Sequence, residues 1–144
     1  MTGQINVNKI AARTGTTITI DTGDALDVTL VKAEGSATTN LKQGLAKSWV
    51  NFNGNGTPAA RDSLNFASIT DNGTGYYTIV FTNAMNNDDY CRSGSVGENA
   101  NTGANRILGI RLPATTGFNV ATYNTSGGIN DNADICCLAH GDLA

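Results

Sequence analysis

The sequence predicts an all-β protein: an antiparallel β-sandwich or barrel, preceded by an extended N-terminal β segment and assembled from several copies. Three observations predict it. The chain is polar through amides and hydroxyls more than through charge, with 15% charged residues in 144 against roughly 25% in ordinary soluble domains. Asn and Thr each rival the 17 glycines in number; Thr suits a pleated strand, while Asn and Gly supply turns that need positive φ. Finally, short apolar alternations recur along the chain, each stopped by Gly, Asn or Asp.

The first 40 residues form one organisational unit. Ile5-Asn6-Val7, Ile18-Thr19-Ile20 and Leu26-Asp27-Val28-Thr29-Leu30 alternate with period two, separated by Thr14-Gly15-Thr16 and Asp21-Thr22-Gly23-Asp24. Strands of three to five residues are marginal as isolated hairpins. Ile5, Val7, Ile18, Ile20, Leu26, Val28 and Leu30 therefore need a surface outside the segment. That surface is either sister subunits around a symmetry axis, which closed cyclic symmetry favours, or the chain's own C-terminal part.

A linker, Gly35-Ser36-Ala37-Thr38-Thr39, leads into residues 41–144. Leu41, Leu45 and Trp49 fall at i, i+4 and i+8, with Asn40 as N-cap, which predicts one or two helical turns weakened by Gly44. Strands follow. Trp49-Val50-Asn51-Phe52 stops at the doubled turn Asn53-Gly54-Asn55-Gly56. Leu64-Asn65-Phe66 and Ile69 pass through Asp71-Asn72-Gly73-Thr74-Gly75 into Tyr77-Thr78-Ile79-Val80-Phe81, with Tyr77, Ile79 and Phe81 on one face. Ile107 to Leu112, Phe118 to Tyr123 and Asp134 to Ala139 are further strands. The stretches 86–89, 94–105 and 124–132 read as polar loops, giving a domain of five to seven strands.

Chemistry is hard to find. Acyl transfer needs a histidine base, and the single histidine, His140, sits near the chain end and reads as a strand-end or surface residue. Asp88 and Asp89 are the acids least explained by turns, yet turn capping accounts for most of the twelve. Gly54-Asn55-Gly56 and Gly73-Thr74-Gly75 lack the lysine and following helix of a phosphate loop. Asn55, Asn72 and Asn124 head Asn-x-Ser/Thr triplets, read as turn chemistry. Cys91, Cys136 and Cys137 read as small buried apolar groups, Cys136 and Cys137 pointing to opposite faces of a strand. A zinc set of Cys91, Cys137 and His140 lacks a fourth ligand and is set aside. The expectation is a non-enzyme with no cofactor and no bound metal.

The net charge of −3, with Lys and Arg scattered, argues against a nucleic-acid partner. Met1-Thr2-Gly3-Gln4 is followed by neither a basic start nor an apolar leader, and no apolar stretch approaches the ~20 residues of a membrane helix. Synthesis in a cytoplasm without membrane insertion is expected.

Three segments in order, Lys47-Ser48-Trp49-Val50-Asn51-Phe52-Asn53-Gly54, Ile69-Thr70-Asp71-Asn72-Gly73-Thr74-Gly75 and Tyr77-Thr78-Ile79-Val80-Phe81, resemble a module of bacteriophage tail-fibre and particle-surface proteins. The likeness is close over residues 45–90 and loose to the end. It implies a homotrimeric virion component, contacting other virion proteins, with no catalytic residues to carry over. At 144 residues the chain is short for a long fibre, so a short fibre, a tail-tip knob or a head-decorating protein is implied. The alternative is a carbohydrate- or receptor-binding module for host attachment. Trp49 and Tyr90 are the candidate surface-recognition residues, although core packing is the preferred role for both.

Overall fold

The structure, a computed structural model, describes residues 30–32, 38–40, 44–97 and 105–144. Ile5, Val7, Ile18, Ile20, Leu26 and Val28 lie outside the described residues. Leu30 opens β1 (Leu30–Lys32), which pairs antiparallel with β2 (Thr38–Asn40). Thr38 and Thr39, read as linker, thus belong to a strand.

Eight further strands form two antiparallel sheets packed face to face, a β-sandwich and not a closed barrel. They are β3 (Ala46–Asn53), β4 (Ala59–Leu64), β5 (Phe66–Asp71), β6 (Tyr76–Phe81), β7 (Cys91–Gly97), β8 (Arg106–Ala114), β9 (Gly117–Asn124) and β10 (Asp134–His140). Sheet I has the order β4-β3-β10-β7 and sheet II the order β5-β6-β9-β8. The first and last strands of the sandwich, β3 and β10, lie side by side at the centre of sheet I.

Alternation builds the core. Val50 and Phe52 point inward from β3, Ile135, Cys137 and Ala139 from β10, Tyr77, Ile79 and Phe81 from β6, and Phe118 and Val120 from β9. Aromatic rings meet edge to face within and between the two layers. Phe52 meets Tyr77 across the sheets at 5.2 Å between ring centroids, and Phe81 meets Phe118 at 5.8 Å and Tyr90 at 5.7 Å.

The helical turns predicted over residues 40–49 are corrected from Ala46 onward; residues 41–43 of that span lie outside the described residues. Asn40 ends β2 and Ala46 begins β3, so Trp49 lies mid-strand. Spacing by four also satisfies period two, and burial of Ser48, Val50 and Phe52 on one face decides for the strand. The predicted strand Leu64-Asn65-Phe66 is broken at its middle residue. Asn65 takes φ +51, and the chain leaves sheet I at Leu64 and enters sheet II at Phe66. Asn tolerates this left-handed conformation better than most residues. Its amide holds the corner: Asn83 N donates to Asn65 Oδ1 (2.7 Å), and Asn65 Nδ2 donates to Asn83 O (3.1 Å).

Two strands were invisible to periodicity. β4, Ala-Ala-Arg-Asp-Ser-Leu, and β7, Cys-Arg-Ser-Gly-Ser-Val-Gly, are both edge strands of sheet I. Of the loop predicted over residues 94–105, residues 94–97 belong to β7, and 98–104 lie outside the described residues. Edge strands pack on one neighbour and carry little apolar pattern.

Candidate functional site

Strand pairing places residues of neighbouring strands in rows on the outside of sheet I. Trp49 pairs with Leu64 of β4 and with Leu138 of β10, and Leu138 pairs with Ser93 of β7. The row Leu64–Trp49–Leu138–Ser93 crosses all four strands. Leu64 is 48% exposed, and Trp49 and Leu138 are half-buried. The next row runs Asp62–Asn51–Cys136–Ser95.

The result is a ridge beside a shelf. Trp49 and Leu138 stand up from β3 and β10, while β7 offers only Ser93, Gly94 and Ser95. The hollow between them has a volume of about 380 Å³ and is also lined by Asn51 and Cys136. Its floor is fixed by hydrogen bonds, since Asn51 Nδ2 donates to Asp134 Oδ1 and to Cys136 Sγ, both at 2.8 Å. Arg61 reaches over from β4 to Asn51 Oδ1 (3.1 Å) and Asp134 Oδ1 (3.2 Å) and donates to the Ala133 carbonyl. With side chains 40% and 49% exposed, the Arg61–Asp134 pair adds little energy. It orders the rim of the hollow.

Tyr90 is corrected as a surface-recognition residue. It is 5% exposed, packs on Phe81, and its hydroxyl donates to Gly117 O (2.7 Å) and lies 3.0 Å from Ala114 O. Burial pushes its phenol up, although Arg92, whose guanidinium lies 5.4 Å from the ring centroid, opposes the shift. Tyr90 locks the entry of β7 to the β8–β9 turn. Of the two aromatic candidates, Trp49 alone faces outward.

The cysteines divide. Cys137 is buried in the core and Cys136 half-buried on the outer face, the opposed orientation expected of neighbours on a strand, but Cys91 is exposed. Cys137 therefore faces away from His140, which pairs with Cys91 on the outside of sheet I. Asp88 and Asp89 lie in an exposed loop, where Asn87 Oδ1 accepts from Asp89 N (3.0 Å) in a local turn. Among the described residues no three His, Cys, Asp or Glu side chains converge as a metal site, and no helix is long and apolar enough to cross a membrane.

The residues that sequence reasoning missed are Leu64, Leu138 and the Ser93–Ser95 shelf. The available signal was strand register, which brings Leu64 and Leu138 beside Trp49 from 15 and 89 positions away. No protein-family model, curated protein or solved structure matches the chain.

Proposed function

We propose that this chain is a structural element of a bacteriophage particle, a short fibre, tail-tip or surface-decoration protein, and that it works as a homo-oligomer, a trimer being the preferred state. The observation that carries the self-association is the apolar row Leu64–Trp49–Leu138 on the outside of sheet I. Such a row is not needed for the core, which lies on the other side of the same strands. Covering it in a sister copy removes apolar surface from water at roughly 25 cal/mol per Å². The ridge of one copy can seat on the Ser-Gly-Ser shelf of the next, a head-to-tail contact that closes into a ring by rotation. The assignment to a virion rests on the likeness of the Trp49, Ile69 and Tyr77 segments to particle-surface modules, and other virion proteins would be its further partners.

Light scattering coupled to size exclusion tests the reading. The expected mass is near three times 14.9 kDa, and Leu138→Lys or Leu64→Lys should shift it to one chain without loss of the folded far-UV spectrum. A wild-type chain that stays monomeric at tens of micromolar overturns it. The alternative, host-glycan recognition by Trp49 with Tyr90, loses its second aromatic to the core.

A further inference from the structure

The outside of sheet II is built differently from that of sheet I. Register places Thr70, Thr78, Asn119 and Arg111 in one row across β5, β6, β9 and β8, and Tyr76, Ala121 and Gly109 in the next. Asn72 Nδ2 donates to Thr78 Oγ1 (2.8 Å), whose hydroxyl donates to Asn119 Oδ1 (3.3 Å). That relay occupies the acceptor of Asn119 and leaves its N–H donors for the space above. Tyr76, Asn72, Asn119, Arg111 and Leu112 enclose a hollow of about 260 Å³.

One wall of this hollow is held in an uncommon conformation. Leu112 adopts φ +43 beside a register break between Arg111 and Ala114, and it is 69% exposed. Bulky residues rarely occupy left-handed backbone, and bulges of this kind re-aim a side chain out of a strand's alternation. Leu112 gains no burial in return. It lines the hollow together with Tyr76 and Asn119.

We infer that this hollow is a pyranoside-binding site, with a preference for a sugar bearing a carboxylate. The chemistry of the lining makes the case. The Tyr76 ring and the Leu112 side chain offer apolar surface to the C–H face of a pyranose chair. Asn119 offers N–H donors and Asn72 its amide oxygen, so the two planar amides can pair with neighbouring hydroxyls as donor and acceptor. A volume of 260 Å³ falls just below the roughly 300–1,000 Å³ of sites for drug-sized ligands, which suits one sugar unit of a longer glycan. Among the described residues lining the hollow, Arg111 carries the sole charge, in a chain of net charge −3. Its guanidinium forks onto carboxylates in the bidentate manner that lysine cannot reproduce. The site lies on the face of the sandwich opposite Trp49, so an assembly through sheet I leaves it open.

The test uses the full chain and an array of neutral-hexose and uronic-acid oligosaccharides, followed by titration with oligogalacturonate while amide shifts are recorded. Retention on uronic-acid glycans, with shifts centred on residues 72, 76, 111 and 119, is expected. Tyr76→Ala and Asn119→Ala should weaken binding at least tenfold, and Arg111→Gln should abolish the preference for acidic over neutral sugars. Trp49→Ala on the other sheet should leave binding unchanged. Absence of binding to every glycan, or shifts confined to the Trp49 face, overturns the inference. The shift map on the wild-type chain decides the matter even if a variant fails to fold. None of these readouts depends on the oligomeric mass, so failure of the self-association reading is scored separately.

Discussion

The Tyr77 hydroxyl donates to the Asp131 carboxylate at 2.9 Å and lies 3.0 Å from the Gly54 carbonyl. Asp131 Oδ1 also accepts the Gly75 backbone N–H at 2.6 Å. One carboxylate at the end of the sandwich thus gathers the β5–β6 turn, the β3–β4 turn and the loop entering β10.

Tyr77→Phe keeps the ring against Phe52 but removes the donor between these loops. The loss should be about 0.5–1.5 kcal/mol, the net worth of a typical hydrogen bond, because Asp131 is exposed and keeps the Gly75 N–H. Urea unfolding checks it: the midpoint should fall with the m-value unchanged, because the surface exposed on unfolding is the same. A loss confined to m would contradict the tie.

Alkaline pH should destabilise the fold from about pH 9 upward. Burial, with Cys136 adding, pushes the Cys137 thiol up to about 12 from an ordinary 9.0. Below pH 9 both folded and unfolded chains hold the proton, so the contribution is fully present. Between pH 9 and 12 only the unfolded chain releases it, and stability falls by up to about 1.4 kcal/mol per pH unit. The Tyr77 phenol is also raised, by burial first and then by its bond to Asp131. It adds a loss of the same sign above pH 10. Melting temperatures from pH 8 to 10 should decline in the wild type and decline less steeply in Cys137→Ala.

A thiol reagent should distinguish the three cysteines in order. Cys91, exposed at the start of β7, reacts first; Cys136, half-buried beside Trp49, follows; Cys137 reacts at the rate of global opening. Raising the protein concentration into the range of self-association should slow Cys136 in particular, since it lines the hollow that the proposed contact covers. Equal protection of Cys136 at all concentrations would argue that another surface holds the copies together.

The sequence was legible where one strand carried its own alternation and its own stop. Tyr77, Ile79 and Phe81, bounded by Gly75, share one face as their alternation predicts, and β9 and β10 fall where strands were expected. It was illegible where burial is decided by other strands. Leu41, Leu45 and Trp49 fit a helical face on spacing alone, and only the partners of β3 reveal that Ser48, Val50 and Phe52 are the buried set. Tyr90 sits in a polar stretch beside Asp88 and Asp89; core packing is the preferred role, but nothing local names Phe81 and the Gly117 carbonyl as what covers it. Neither outer face could be foreseen, because Leu64–Trp49–Leu138 and Thr78–Asn119–Arg111 become neighbours only through long-range register.

Gly94 offers the sharpest test of β7 as a strand of sheet I rather than the loop its composition suggests. It faces inward from the edge, and a Cβ there would run into the Cys136 carbonyl oxygen of β10 and the Leu108 side chain of β8. The carbonyl belongs to the sheet and cannot swing aside as a flexible side chain could. Gly94→Ala should therefore cost about 1–3 kcal/mol, as overpacking does in a filled interior, and loosen β7 from β10. Gly97 lies three residues along the same strand, where a Cβ would approach Asp134 no closer than 3.6 Å. Gly97→Ala should be nearly neutral. Measured together by thermal unfolding, a large loss at position 94 with none at 97 fits a docked strand, whereas equal and small losses would return the segment to a loop.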